Sequence, residues 1–592
     1  CSKKIEIICF WCSVLGSRQL VMIDAITIII TAFLFELLGI NYDSDNGMAV
    51  KYKDEIIEHS SVFEKQIVKV NDNWYSAIGY GLSNSIMING ENGSIFIDTM
   101  ESIDAAKSVV DDFSKISNKP TRAVIYTHYH SDHIFGTSAY INNSDNFIII
   151  SHKNMINHID NLFSVIQEIA YVRGMRQFGK FIGKNNIGCG IGPHVKFGNG
   201  ERISVIYPNI TFDKSLNITI EGIKFEIYSC PGESDDQICV WLPDYKILLS
   251  ADNYYEAFPN LYTIRGSETR FISHWLKTLE FMISLEPEIL VPSHTLPIYG
   301  KDVIKTRLTN YRNAIKIVND QTIRYMNRGL EPNEIAEKIK LPKYLSNLSY
   351  LRPWYGNIEH SVKGIFNQYL GWFSGKAVHL KPLSNFEYAT KILSLVNDIN
   401  ILYEHAVNAY NNEEYQWALE LVTILKTLNK NKDFKNLDEL NRNILIKMAE
   451  NEISANTRNY YYSEAYEIFN KIKPGKIEQE NLFDNNSIEN ILKMMTTRLI
   501  FEKAEYIDMG VNFNFTDIKK CMSLHVYYGV CDFYNFCKKH FTNITTTRDV
   551  WIETISNVGS IFVNYYLGKI SFDGNFLDLL GLYSFFDLFE RP

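Results

Sequence analysis

The nine cysteines, an odd number scattered from Cys1 to Cys537 with CxxC spacing at Cys9 and Cys12 alone, suggest neither a disulfide framework nor a zinc knuckle. They are expected to be buried or free thiols, and no chemistry is assigned to them. A basic excess is missing too: 59 Lys and Arg stand against 68 Asp and Glu, a formal charge of −9, which is not the footprint of a nucleic-acid reader. Nucleic acid is not an expected partner. The uncharged segment from Ala25 to Phe35, AITIIITAFLF, falls short of the ~20 residues a membrane span needs, and its basic flank is thin, with Arg18 near and Lys3 and Lys4 distant. Residues 1–45 therefore read either as a leader or hydrophobic segment, exporting or anchoring the chain through residues 20–40, or as an amphipathic packing helix of a cytoplasmic chain. The first residue is not Met, and Met22 is one candidate start. No stable membrane span is expected in the catalytic part.

What the chain has is apolar material in quantity. With 592 residues, 46% hydrophobic and 13% aromatic against 21% charged, it can bury several cores, so wholesale disorder is excluded. From about Ser60 to Pro297, short β-branched runs alternate with helical patterns. Ser94 to Ile97 reads as a strand delivering Asp98 to its end, followed by a helix through Ala105, Val109 and Phe113. Arg122 to Thr127 is another buried strand. Two hairpins are predicted, one across Glu221-Gly222 and one across Pro243-Asp244. Ile272, Trp275, Leu276, Leu279, Met282 and Ile283 recur at helical spacing before Pro287, and the strand from Glu288 to Val291 ends at Ser293-His294. Hairpins mixed with helices favour layered sheets with flanking helices over a doubly wound parallel sheet. Asn385 to about Lys473 reads as helices, with a helix-turn-helix pair in YEHAVNAYNNEEYQWALELVTIL, and no long solenoid period emerges. From about Asn481 onward the pattern is α+β again.

The densest chemistry follows Thr127. In HYHSDH, His128, His130, Asp132 and His133 fall within six residues. Residues two apart in an extended turn face one side, so His128 and His130 can share one cation while Asp132 and His133 reach a second beside it. Imidazole nitrogen and carboxylate oxygen are the usual ligands of hydrolytic zinc.

THYHSDHIFG resembles the HxHxDH metal motif of the metallo-β-lactamase superfamily, and Ile97 to Thr99 resembles its upstream IDT, where Asp98 takes a structural supporting role. The resemblance implies an αββα sandwich with the site at strand ends, and two further ligands after downstream strands, Asp252 in SADN and His294 in PSH. Where most of the superfamily places a third histidine after Pro-Gly, this chain has Glu233. Three carboxylates against two divalent cations leave a site that a bridging hydroxide neutralises, so the charge of an anionic substrate calls for a dedicated arginine, with Arg265 the candidate. That combination is similar to the alkyl sulfatase branch, as are DNYYEAFPNLYTIRG, Asp252 to Gly266, and SHTLPIYG, Ser293 to Gly300. Two zinc ions per chain are implied, one held by His128, His130 and Glu233, the other by Asp132, His133 and His294, with Asp252 bridging. Asn260 and Arg265 would hold the sulfate, and Asp252, Glu233 and Arg265 form the catalytic set. The branch usually carries Glu where Asp252 stands, and PGTEAP where this chain has PGESDD, which suggests a divergent subgroup.

The implied activity is zinc-dependent hydrolysis of small amphipathic alkyl sulfate esters to an alcohol and inorganic sulfate, S–O and C–O cleavage both remaining open. The expected organisation is a metallo-β-lactamase-like catalytic domain with connector over 46–384, an all-α dimerisation domain over 385–475 resembling the family's around Tyr415 to Ala418, and a small α+β sterol-carrier-protein-like domain over 480–592. A homodimer is implied. His152, His158, His194 and His274 are expected to be surface or satisfied core groups, and Arg173 and Arg176 solvated charge. Two rivals are a thioesterase or lactonase of the same fold, and a lipid-binding carrier with a vestigial metal domain.

Overall fold

The computed structural model describes residues 50–141, 146–162, 166–195, 202–428, 436–470, 487–556, 560–574 and 576–587. The leader expected within 1–45 lies outside these residues. They fall into two compact units, one over 50–470 and one over 487–587.

In the larger unit, β1 (Gln66–Asn71), β2 (Trp74–Ile78), β3 (Ser85–Asn89), β4 (Ser94–Ile97), β5 (Thr121–Ile125), β6 (Ile148–His152) and β7 (Ile210–Phe212) form one sheet in sequence order. Its first four strands pair antiparallel and the rest parallel. The second sheet has the order β13-β12-β11-β10-β9-β8, from β8 (Ser215–Ile220), β9 (Ile223–Ser229), β10 (Ile238–Leu242), β11 (Ile247–Ala251), β12 (Ile289–Pro292) and β13 (Ile298–Tyr299). Both predicted hairpins form, β8–β9 and β10–β11.

Period-two alternation assigns the layers. Ile95, Ile97, Val240, Leu242, Ile247 and Leu249 point into the core shared by the two sheets. Their neighbours face outward: Phe96 meets the helix Ile103–Ser114 through Ala105, Val109 and Phe113, while Trp241 and Leu248 meet the helices Ile272–Ser284 and Lys301–Met326 through Trp275, Leu279 and Ile315. The result is the expected αββα sandwich.

Beyond it, the helices Asn385–Val396, Ile399–Asn411, Tyr415–Leu428, Leu437–Asn451 and Ala455–Asn470 follow one another. Leu402, Ala406 and Ala409 meet Ala418, Leu421, Val422 and Leu425, the three-and-four spacing of one apolar face per helix. The expectation that Arg173 and Arg176 are solvated charge is corrected. Arg176 grips Glu467 with Nε and Nη2 at 2.8 and 2.7 Å, tying the helix Gln167–Gln177 to Ala455–Asn470, and Arg173 donates to the Ile264 carbonyl.

The smaller unit is a five-stranded sheet of order β16-β15-β14-β17-β18, built from β14 (Asp508–Phe515), β15 (Lys520–Tyr527), β16 (Val530–Tyr534), β17 (Thr542–Thr546) and β18 (Ser571–Phe572). Phe513, Phe515, Leu524 and Ile544 pack with Ile491 and Trp551 from helices. The cysteine expectation needs correction too. Cys230 pairs with Cys239 across β9–β10, with Cα atoms 5.6 Å apart, and Cys521 with Cys537 at 5.3 Å; Cys189 and Cys531 stay free. Register across β9–β10 brings the first pair together, and the loop after β16 folds back on β15 to bring the second, neither of which linear spacing shows.

Candidate metal centre

The segments carrying the expected donors leave the ends of β5 in one sheet and of the neighbouring β11 and β12 in the other. β5 runs into His128, His130 and the short helix Ser131–Ile134 with Asp132 and His133; β11 ends at Asp252 and β12 at His294. Three non-glycine residues beside these ends hold positive φ: Asp98 (58°), Ala251 (50°) and Thr295 (68°). Such backbone is uncommon outside glycine and tends to collect where function aims a side chain.

Two groups of three converge, His128 with His130 and Asp252, and Asp132 with His133 and His294, all buried. Asp252 Oδ2 lies 3.1 Å from His294 Nε2, 3.6 Å from His133 Nε2 and 3.8 Å from His128 Nε2, so one carboxylate faces ligands of both groups. Asp132 Oδ2 lies 3.3 and 3.5 Å from the Nε2 atoms of His133 and His294. Donors at ~2.0–2.1 Å around a tetrahedral zinc stand about 3.3 Å from each other, which is the spacing seen here. His128 Nε2 and His130 Nδ1 face each other at 2.7 Å. Asp252 Oδ1 and His133 Nε2 are buried without a hydrogen bond.

A second layer orients the rings. Asp98 Oδ2 accepts from His133 Nδ1 at 2.7 Å, Thr127 Oγ1 at 2.9 Å and Ser293 Oγ at 2.9 Å, while Oδ1 accepts from the Thr127 amide at 2.8 Å. His294 Nδ1 donates to the Leu82 carbonyl at 2.8 Å, leaving Nε2 for the centre.

Charge follows the same plan. Burial pushes His128 and His130 well below the usual imidazole value, so both present lone pairs. Burial acts the same way on His133, but Asp132, Asp252 and Asp98 hold it well above its ordinary value; Asp252 likewise keeps His294 raised. Burial would raise Asp252, yet the imidazoles of His294, His133 and His128 hold it well below the carboxylate range. In the absence of cations, protons on His133 and His294 balance the carboxylates.

Glu233 belongs to neither group of three. It is buried, with Oε1 2.6 Å from Arg270 Nη1 and Oε2 without a partner. Burial pushes its carboxyl up to about 7 against the pull of Arg270. Arg270 is the residue sequence reasoning missed: it is buried, donates to the Asn260 carbonyl, and keeps Nε and Nη2 unpartnered. Its only signal was a second arginine in the stretch that carries Arg265. Asn260 is buried with a free amide Nδ2, as a substrate donor would be. Arg265 is half-buried, its Nη1 on Thr263 Oγ1 at 2.7 Å, its guanidinium over Phe178 and its amide on Gln177 Oε1 at 3.0 Å.

Comparison with known proteins places this geometry. The metallo-β-lactamase superfamily model matches residues 78–294, and the model for alkyl sulfatase dimerisation matches 331–471. A linear primary-alkylsulfatase from Pseudomonas sp. (strain ATCC 19151) is 30% identical over 528 residues, which are 86% of this chain and 99% of the relative. The chain belongs to the alkylsulfatase family of the metallo-β-lactamase superfamily. An alkyl/aryl-sulfatase of Saccharomyces cerevisiae is 28% identical over 61% of this chain and 57% of its own length. The family fold is shared with the solved stereoselective inverting sec-alkylsulfatase of Pseudomonas sp., at a TM-score of 0.83 and 22% identity, covering 92% of this chain and 88% of that one.

Proposed function

We propose that this chain hydrolyses alkyl sulfate esters to an alcohol and inorganic sulfate at a dinuclear zinc site. The observation that carries the reading is one buried carboxylate, Asp252, facing imidazoles of two adjacent donor groups, in a chain of this family. The residues fit the metals: donor spacing suits zinc, and Asp252 Oδ1, His133 Nε2 and Glu233 Oε2 are buried polar atoms that lack partners. His128, His130 and Glu233 would hold one ion and Asp132, His133 and His294 the other, with Asp252 between them. When bound, the pair supplies Lewis-acid charge stabilisation and acidifies water to a pKa of ~7.

The chain's own residues supply the rest. Asn260 Nδ2 and the free donors of Arg270 are buried beside Glu233, ready to take sulfate oxygens, and Arg265 adds positive charge at half-buried depth. Such donors, already desolvated and aimed, stabilise charge on the departing sulfate oxygens without reorganisation. Arg270 also pulls the buried Glu233 carboxyl down against the desolvation that raises it to about 7.

A homodimer is part of the proposal. Trp372, Val378, Leu380 and Leu395 stand 57 to 77% exposed in and beside the connector within the span matched by the dimerisation model, more apolar surface than a solvated arm retains. Sedimentation as a monomer at micromolar concentration would remove it.

The deciding experiment assays alkyl sulfates, alkyl phosphates, thioesters and lactones side by side, with and without chelator, reading sulfate release by ion chromatography. Chelator-sensitive sulfate release is expected; turnover confined to thioesters or lactones refutes the reading.

A further inference from the structure

Among the described residues, His158 was expected to be a satisfied core histidine, and its surroundings give it more to do. It lies on the helix Met155–Leu162, buried, with both ring nitrogens facing carboxylates: Nε2 meets Asp235 Oδ1, and Nδ1 stands 3.3 Å from Glu268 Oε1. Its ring stacks on Tyr129 with centroids 4.6 Å apart and planes 24° from parallel. Tyr129 is the residue between the candidate ligands His128 and His130. Asp235 is on the β9–β10 loop two residues after Glu233, and Glu268 is in the irregular segment joining Arg265 to Arg270. One imidazole thus joins three pieces of chain that carry the site.

Those same pieces enclose a cavity of about 270 Å³ whose lining includes Tyr129, Glu233, Asp235, Glu268 and Phe271. Glu233 is the one lining residue that is also a candidate metal ligand. Three of its lining residues, Tyr129, Asp235 and Glu268, contact His158, and the buried Asp236 carboxylate stands beside the same ring. Asp235 and Glu268 are half-exposed at the mouth, where unpaired carboxylates would repel an anionic ester.

We propose that His158 is a positioning residue that fixes the walls of this cavity, and that the cavity receives the organic part of the sulfate ester next to the sulfate site. The inference rests on the alkyl sulfatase reading. His158 spans the mouth without touching the reacting atoms. Glu233 has separate anchors: Arg270 at 2.6 Å, the Cys230–Cys239 pairing, and Asn253 Nδ2 donating to the Cys230 carbonyl at 2.9 Å. Loss of His158 therefore removes the tie between Glu268 and the helix Met155–Leu162 and leaves Asp235 with Asn154 Nδ2 at 3.0 Å alone, while the centre keeps its donors.

The test is the full-length His158→Phe enzyme, which keeps a ring against Tyr129 and loses both carboxylate partners, with His158→Gln alongside should the first not fold. KM for dodecyl sulfate is expected to rise at least about tenfold with kcat within about twofold, a loss of binding shared by ground and transition states. Zinc content by elemental analysis is expected to stay at the wild-type level. Adding Glu268→Gln to His158→Phe should lower KM again, because it removes the repelling charge. An unchanged KM, or a fall in kcat together with zinc content, overturns the proposal; the latter would make His158 a support of the metal centre. Amide hydrogen exchange over residues 264–271 reads the clamp without turnover. Should the wild type release no sulfate, the functional reading fails by itself, and exchange that is faster in the variant still supports the clamp while equal exchange overturns it.

Discussion

Replacing Asp98 with Asn leaves the backbone nearly untouched, since Asn tolerates the left-handed φ of 58° that Asp98 holds, so the substitution isolates charge and hydrogen bonding. Oδ1 must accept from the Thr127 amide, which cannot turn round, so the new NH2 takes the Oδ2 place and faces Thr127 Oγ1, Ser293 Oγ and His133 Nδ1. The two hydroxyls can rotate to accept. His133 can accept only by moving its proton to Nε2, the nitrogen that should face the cation. A charge-assisted hydrogen bond is worth about 1.5–3 kcal/mol, and loss of a carboxylate behind a metal-binding histidine costs about 10–100-fold in metal affinity, two routes to the same size of effect. Competition with a chromophoric chelator on folded Asp98→Asn protein should show one of two zinc ions weakened by that factor, with activity recovering in excess zinc. Wild-type affinity for both ions would refute the tautomer reasoning.

Arg270→Met removes the charge that pulls the buried Glu233 carboxyl down to about 7, so the metal-free variant should go on losing stability as pH rises above 7, where the wild type has levelled; identical unfolding free energies against pH would mean that Glu233 lies elsewhere. A Cβ on Gly232 would stand 2.0 Å from Asn253 Oδ1, so Gly232→Ala must displace the Glu233 loop and lower sulfate release by at least about tenfold, and full activity would show that the loop yields without cost. Zinc uptake by apoprotein near pH 7 should release protons, because His133 and His294 hold theirs above the ordinary value; a pH-indicator dye that registers none would contradict the charge balance drawn for the centre. His59 is pushed down to about 4 by burial and stacks on Trp354 at 4.4 Å. Its depressed pKa contributes stability above the unfolded value of 6.5, lost as pH falls through 4, at most about 3 kcal/mol and less for a ring that keeps some exposure. His59→Phe should flatten unfolding free energy against pH over that window, and an unaltered slope would count against it.

Much of this protein was written along the chain. His128, His130, Asp132 and His133 lie within one turn, so their shared direction is a local property that spacing reveals, and the apolar runs of β4, β10 and β11 already read as strands. Helix and hairpin periods depend on neighbours a few residues away, and those came out as read. Tertiary structure alone decided three matters. It set Glu233 Oε1 against Arg270 and left Oε2 unpartnered, because two separate stretches of chain meet there only when the layers pack. It joined Cys230 to Cys239 through strand register and Cys521 to Cys537 through a loop that folds back on β15. And it set His158 between Asp235 and Glu268, where three distant stretches meet around one imidazole. Each depends on where the chain returns in space, which the packing of whole layers determines and local propensity does not.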